Sequence, residues 1–433
     1  MKRTLAAAVG AALLGLSGAA CAINDLEANA SIPFNFSNPG ARSLGMGGAF
    51  VGLADDATAA YTNPAGLAQL RQAEIAIEGR HTAFSTPFVN GGNLTTQPSF
   101  STAGLDIRDA DSSTNNLSYL SFVLPRERWA FSLYRHEVSN FDSYFRLDDA
   151  LTFDGLPLFS TESSIDLKII NWGAAAAFRA SDRVSLGLGV SRYDFDIYSN
   201  TGRFFPQRPL RVQTALQYGS DNGLGWNLGA RFGLSSSLSL GVSYRHAPRF
   251  YYAASVTNLS NGITPLPQPD RQYFSDRIRF DVPDVWAAGL SWRPSDNLVV
   301  NFDVDRVMYS ELTDGISTFF DPVAASRLRL DDGTEYHLGA EYTFSSMQHP
   351  FSLRGGLWHD PRHAIRFEGI PPANATDFVS LEELFASQYA GSRGAEMHYA
   401  IGGGWAFSRF QLDFAADLSD GIDTFSMSGV YRF

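Results

Sequence analysis

The run His359-Asp360-Pro361-Arg362-His363 sets two histidines four residues apart, the spacing at which a helix would offer both imidazoles to one metal ion. Pro361 removes that helix, because proline has no N–H to give and clashes with the preceding turn, so the pair reads as loop chemistry. Gly45, Gly47 and Gly48 suggest a phosphate-cradling loop, but Phe50 stands where the dinucleotide pattern needs its third glycine. Neither a preceding strand nor following helix–strand units can be read around it. The sequence has no Gly-x-Ser-x-Gly elbow, and its eight histidines are scattered without a nucleophile–base arrangement. Catalysis, a resident metal and a cofactor are therefore not expected.

The elements that would carry any chemistry are β-strands. Over 433 residues only 18% are charged, against 39 Gly, 33 Phe and 17 Tyr, a balance that suits a β-rich chain better than a soluble enzyme. A formal charge of −12 with no long basic run excludes a nucleic-acid partner, since phosphate neutralisation needs clustered Lys and Arg. Lys2 and Arg3, the apolar stretch Leu5 to Leu16 and Ala20-Cys21-Ala22 form an export leader cut after Ala22. Cys21, the single cysteine, falls within it, and Gly18 stands where a lipoprotein signal needs a large apolar residue.

Beyond residue 22 no apolar run reaches the roughly 20 residues of a helical membrane span. Apolar and polar residues instead alternate in segments of about ten. Phe410, Leu412, Phe414, Ala416 and Leu418 share one face, with Gln411, Asp413 and Asp417 on the other. Tyr336, Leu338, Ala340, Tyr342 and Phe344 repeat the rhythm, as do Leu298, Val300, Phe302 and Val304. The pattern predicts about fourteen strands, near 73–83, 116–124, 129–138, 166–179, 183–198, 222–234, 238–250, 280–292, 297–310, 334–345, 350–359, 396–407, 410–418 and 424–432. Links after even-numbered strands are short and those after odd ones long, except 419–423. With an even strand count and both termini on the short-turn side, this describes an all-β, transmembrane antiparallel barrel of the Gram-negative outer membrane. A charge against lipid at mid-depth costs about 2–4 kcal/mol, so the apolar rows are expected to face lipid and the polar rows the lumen. Lumen or ligand candidates are then Asn301, Asp303, Asp305, Glu341, Arg354, Asp413 and Asp417. Arg354 has two readings, as a forked partner for a ligand carboxylate or as the counter-charge of a lumen acid.

Three parts are expected: a leader over 1–22, an N-terminal hatch over 23–70 and the barrel over 71–433. In the hatch, Gly45, Gly47 and Gly48 permit close backbone approach, Asp55 caps a short helix running to Tyr61, and Asn63-Pro64 ends it. The run Gly45-Met46-Gly47-Gly48-Ala49-Phe50, with Ala54-Asp55-Asp56-Ala57 and Asn63-Pro64-Ala65, resembles the N-terminal hatch of the FadL/TodX family, outer-membrane transporters of long-chain fatty acids and other hydrophobic compounds. Pro283-Asp284-Val285-Trp286, Tyr336 to Tyr342, Leu353-Arg354-Gly355-Gly356 and the terminal Tyr431-Arg432-Phe433 extend the resemblance along the barrel. It implies a monomeric, cofactor-free passive transporter whose hatch closes the lumen, with ligand leaving sideways at a kinked third strand. Trp129 to Val138 holds neither Gly nor Pro, so the sequence shows no such kink. Phe141, Phe145, Phe153, Leu158 and Phe159 in one outer loop, and Tyr251 and Tyr252 in or beside another, are read as an apolar capture surface or as packing against lipopolysaccharide. A secretion-associated barrel of PorV type, binding protein through the same loops, is the alternative reading.

Overall fold

The computed structural model describes residues 37–95, 101–146, 151–153, 155–157, 160–204, 211–258, 271–313, 328–363, 366–367 and 394–433. Fourteen antiparallel strands close into one barrel. They are β1 (Glu74–Thr95), β2 (Ser101–Arg126), β3 (Trp129–Arg146), β4 (Ser160–Arg179), β5 (Val184–Phe204) and β6 (Arg211–Gly233), then β7 in two segments (Leu238–His246 and Arg249–Asn258). β8 is also in two (Arg271–Asp281 and Val285–Ser295), followed by β9 (Leu298–Val307), β10 (Gly333–Phe344), β11 (Phe351–Asp360), β12 (Glu396–Ala406), β13 (Phe410–Leu418) and β14 (Ile422–Arg432). Each strand pairs with its sequence neighbours, and β14 returns to β1 with Arg432 opposite Glu74. Closure leaves no open edge at the seam between first and last strand, which a bilayer demands because it offers no water to unpaired backbone groups.

Residues 127–128, 180–183, 234–237, 296–297, 345–350 and 407–409 are the short turns at one end, as the spacing predicted. Around the barrel Leu133, Leu188, Leu338 and Ile401 point outward and are exposed, the apolar band that lipid covers. Trp129, Trp292 and Trp405 edge that band towards the short turns, and Trp172, Trp226 and Trp286 edge it towards the long loops. Such paired aromatic girdles mark the two interfaces of a membrane.

The strands nearest the long loops run well past the predicted bounds. β1 and β2 were expected to stop near 83 and start near 116, yet they pair from Glu74–Val123 out to Thr95–Ser101. Above the membrane the surroundings invert, with water outside and a covered lumen inside, and the apolar face inverts with them. In β5, Leu186, Leu188 and Val190 face outward, whereas higher up Tyr193, Phe195 and Ile197 are buried inside. The expectation that apolar rows always face lipid therefore holds only within the membrane band.

Two of the wall's irregularities bear on the lumen. β7 breaks at Ala247–Pro248 and β8 at Val282–Asp284, where Pro248 and Pro283 have no N–H for the ladder. Asp284 fills the gap, its carboxylate accepting from Ala247 N at 3.2 Å and lying 2.9 Å from His246 Nδ1. The second lies between β2 and β3, whose pairing ends at Tyr119–His136. Beyond it β3 continues along β4 with a bulge between Glu137 and Ser139. The sequence showed no kink in this strand because the bulge is built without Gly or Pro.

Candidate functional site

Residues 37–72 fold inside the barrel as a compact segment. α1 (Ala41–Leu44) leads into turns at Gly47 and Gly48, both at positive φ (62° and 77°), where a side chain would be strained. α2 (Ala59–Thr62) is one turn, and a 3₁₀ turn, Pro64–Gln69, follows it, with Asn63 Oδ1 accepting from Ala65 N. Asp55 does not cap the helix as expected: Thr58 is the N-cap, without a side-chain cap hydrogen bond, Asp56 accepts from Thr58 N at 2.9 Å in the turn before it, and Asp55 turns to Arg42.

The wall is shaped to this segment. Inward-facing glycines leave room for its backbone: a Cβ at Gly187 would lie 2.2 Å from Ala65 N, at Gly241 2.1 Å from Val51 O, at Gly339 2.2 Å from Met46 O, and at Gly356 2.2 Å from Met46 C. Gly45 packs against Gly402 in the same way. Apolar contact comes from Tyr61 and Leu67 against Tyr119 and Tyr134, and from Met46, Phe50 and Leu53 against Val299.

Polar wall residues satisfy the segment's backbone groups, which would otherwise be buried unpaired at a cost of about 1–3 kcal/mol each. Asn301 Nδ2 donates to Ala49 O at 2.9 Å, Asp303 Oδ2 accepts from Val51 N at 2.6 Å, and Ser239 Oγ donates to Gly52 O at 3.0 Å. Asn227 Nδ2 donates to Ala60 O at 3.0 Å, and within the segment Asn63 Nδ2 donates to Val51 O at 3.0 Å.

A chain of charges ties segment to wall. Arg42 forks onto Glu341 with Nε–Oε2 at 2.9 Å and Nη2–Oε1 at 2.8 Å, and its Nη1 reaches Asp55 at 2.5 Å. Arg354 Nε meets Glu341 at 2.6 Å and its Nη1 meets Asp413 at 2.8 Å. Arg354 is thus paired with two lumen acids. Burial pushes the Asp56 carboxyl above its usual range, against the pull of Arg42 and the hydrogen bonds from Thr58. Asp417 accepts from Trp358 Nε1 at 3.1 Å and lies 3.2 Å from His398 Nδ1, whereas Asp305 sits beside Glu335 and His337.

Above the segment the lumen turns apolar. Ile165, Leu167, Ile169, Phe195, Phe250, Tyr252 and Ile278 form one buried cluster with Phe84 and Phe141. Phe141 and Tyr252 stand among the expected capture residues, whereas Ile165, Leu167, Ile169, Phe195 and Ile278 escape the sequence reading, which puts them in links or on lipid-facing rows. The parity switch of apolar residues within a single strand, as at Val190 to Tyr193, is the signal that marks them. Phe141 and Phe145 belong to β3 and not to a loop, stacked on Phe84 and Phe88 at 4.9 and 5.0 Å. Tyr251 and Tyr252 are likewise on β7, the first exposed and the second buried. Phe153 lies on a short strand, 151–153, and Leu158 and Phe159 lie outside the described residues.

At the β2–β3 seam a cavity of about 80 Å³ is lined by Arg80, Asn116, Glu137, Asn140 and Phe141. Glu137 bridges it, accepting from Asn116 Nδ2, from Asn140 Nδ2 at 2.8 Å and from Arg135 Nη2 at 2.8 Å. His363 stacks on Tyr309 at 4.4 Å and lies 3.1 Å from Asp360. Burial works against its charge, but Asp360 offsets this and the imidazole is pushed up to about 9.

A sequence profile described as outer membrane protein transport protein (OMPP1/FadL/TodX) matches residues 34–368. The chain is 23% identical over 378 residues to outer membrane protein P1 of Haemophilus influenzae, covering 77% of this chain and 78% of that protein. Among solved structures, a FadL homologue of Pseudomonas aeruginosa superimposes with TM-score 0.62 at 14% identity, covering 93% of this chain and 99% of the other. The toluene transporter TodX of Pseudomonas putida gives 0.59 at 15%, covering 92% and 99%. The CymD monoaromatic hydrocarbon channel gives 0.59 at 17%, also covering 92% and 99%.

Proposed function

The chain belongs to the OMPP1/FadL/TodX family of outer membrane transport proteins, and from that premise we propose that it carries hydrophobic small molecules passively across the outer membrane through a hatch-gated lumen. The observation that carries this reading is the two-storey lumen. Its outer storey is an apolar cluster around Leu167, Phe195 and Ile278, and its inner storey is the segment 37–72 held by charges and backbone hydrogen bonds. An apolar solute gains about 25 cal/mol per Å² of surface it removes from water in the outer storey, whereas the inner storey offers polar partners it cannot use. Ligand thus collects above the hatch and passes on when the hatch or the wall moves.

The β2–β3 seam supports a sideways exit. It adjoins the apolar cluster through Phe84, Val138 and Phe141, and above Tyr119–His136 side chains bridge it in place of a backbone ladder. Fatty acids and aromatic hydrocarbons both fit the apolar storey. Uptake of a labelled long-chain fatty acid and a labelled monoaromatic hydrocarbon, side by side in cells with and without the protein, tests the reading. Faster entry of either supports it and names the class. Entry of neither, with the barrel folded in the membrane and a protein partner retained on purification, would favour a secretion-associated role.

A further inference from the structure

Asp305, Glu335 and His337 bring one ligand atom each within 4.8 Å of one another, the three facing the lumen from adjacent strands β9 and β10, with Asp305 directly opposite Glu335. His337 Nδ1 lies 2.7 Å from Gly47 O, so the ring donates its N–H to the hatch and turns Nε2 towards the two carboxylates. Trp358 stacks on the same ring with centroids 5.2 Å apart. Glu335 Oε1 accepts from Tyr309 OH at 2.9 Å, which aims Oε2 at His337 Nε2, 3.3 Å away. Two donor atoms about 2.1 Å from a tetrahedral ion stand about 3.4 Å apart, so this separation already suits a shared metal. Asp305 is only 7% exposed, and its Oδ1 has no hydrogen-bond partner. A buried carboxylate oxygen without a partner is costly, and an ion pair between Glu335 and His337 alone leaves it so.

We propose that Asp305, Glu335 and His337 bind a zinc-class divalent cation that braces the hatch through Gly47. Carboxylate oxygen and imidazole nitrogen are both zinc ligands, and three of them leave a fourth position open, whereas Ca²⁺ and Mg²⁺ prefer oxygen alone. The outer partners fit as well: a metal-bound histidine usually donates its second N–H to a carbonyl or carboxylate, and a ligating carboxylate is usually hydrogen-bonded. The bound ion would sit where the hatch meets the apolar storey, since Tyr309, the partner of Glu335, belongs to that cluster. Losing a ligand costs at least the ten- to hundredfold that loss of an outer partner typically costs.

The full-length protein, stripped with a chelator in detergent and dialysed against Zn²⁺, is expected to retain one zinc per chain by elemental analysis. Asp305→Asn should weaken retention tenfold or more, while Asp194→Asn, a change at an exposed carboxylate, should leave it unchanged. Zn²⁺ should also raise the unfolding temperature of the wild type and not of Asp305→Asn, and Mg²⁺ should raise neither. Should Asp305→Asn fail to fold, His337→Gln supplies the same comparison. Sub-stoichiometric zinc in folded wild type, equal retention by the folded variant, or equal effect of Mg²⁺ would each overturn the site.

Discussion

Gly355 and Gly356 are neighbours on β11 that face opposite sides of the wall, so they separate a strand effect from a hatch effect. A Cβ at Gly355 meets nothing within 4 Å, whereas one at Gly356 would lie 2.2 Å from Met46 C and 2.3 Å from Gly47 N. Unstrained carbon contacts lie near 3.5–4.0 Å, so Gly356→Ala must push the hatch backbone away by more than about 1 Å. Overpacking of this kind costs about 1–3 kcal/mol, which shifts a closed-to-open equilibrium by about 5- to 150-fold. Both alanines change strand propensity alike, so the difference between them reports the hatch. Single-channel recording in planar bilayers should show low conductance for wild type and Gly355→Ala and frequent openings for Gly356→Ala. Equal conductance of the two alanine variants, each folded by heat-modifiable migration, would refute the steric argument for hatch closure.

Arg42→Ala leaves Glu341, Asp55 and Asp56 short of a buried cation; we expect loss of about 3–5 kcal/mol of hatch anchoring, read as faster proteolysis of residues 37–72 with the barrel intact. Leu167→Asn places an amide without a partner in the apolar storey, costing about 1–3 kcal/mol, so binding of a hydrophobic ligand should fall roughly 5- to 150-fold without change in barrel folding. His363 is raised to about 9 by Asp360, so its contribution is complete below about 6.5 and lost as pH climbs through about 9. Protection factors at Tyr309–Thr313, hydrogen exchange divided by its intrinsic base-catalysed rate, should fall over that window in the wild type, and His363→Gln should abolish the fall.

The barrel was legible because lipid and water impose opposite demands on alternate residues, and Phe410 to Leu418 records both. The segregation of short and long links fixed topology and orientation. What stayed hidden has a common cause: the demand reverses along one strand. Ile165, Leu167 and Ile169 have the alternation of a membrane strand but point inward, and the switch of parity to Trp172, exposed on the outer face, tells the two apart. The hatch glycines were legible as sites of close approach, yet their counterparts in the wall, Gly187, Gly241, Gly339 and Gly356, read in sequence as ordinary weak points of strands. Arg42 escaped notice because its partner Glu341 lies 299 positions away. The β3 bulge likewise has no residue signature.

A hydrophobic molecule held in the outer lumen above a polar hatch should stay with the protein when the membrane is dissolved. Mass spectrometry of what co-purifies with detergent-extracted protein, against Leu167→Asn and an unrelated barrel from the same membranes, tests it most directly. A fatty acid or hydrocarbon should be enriched on the wild type and depleted on the variant; equal amounts on all three would rule out a ligand site in the outer lumen.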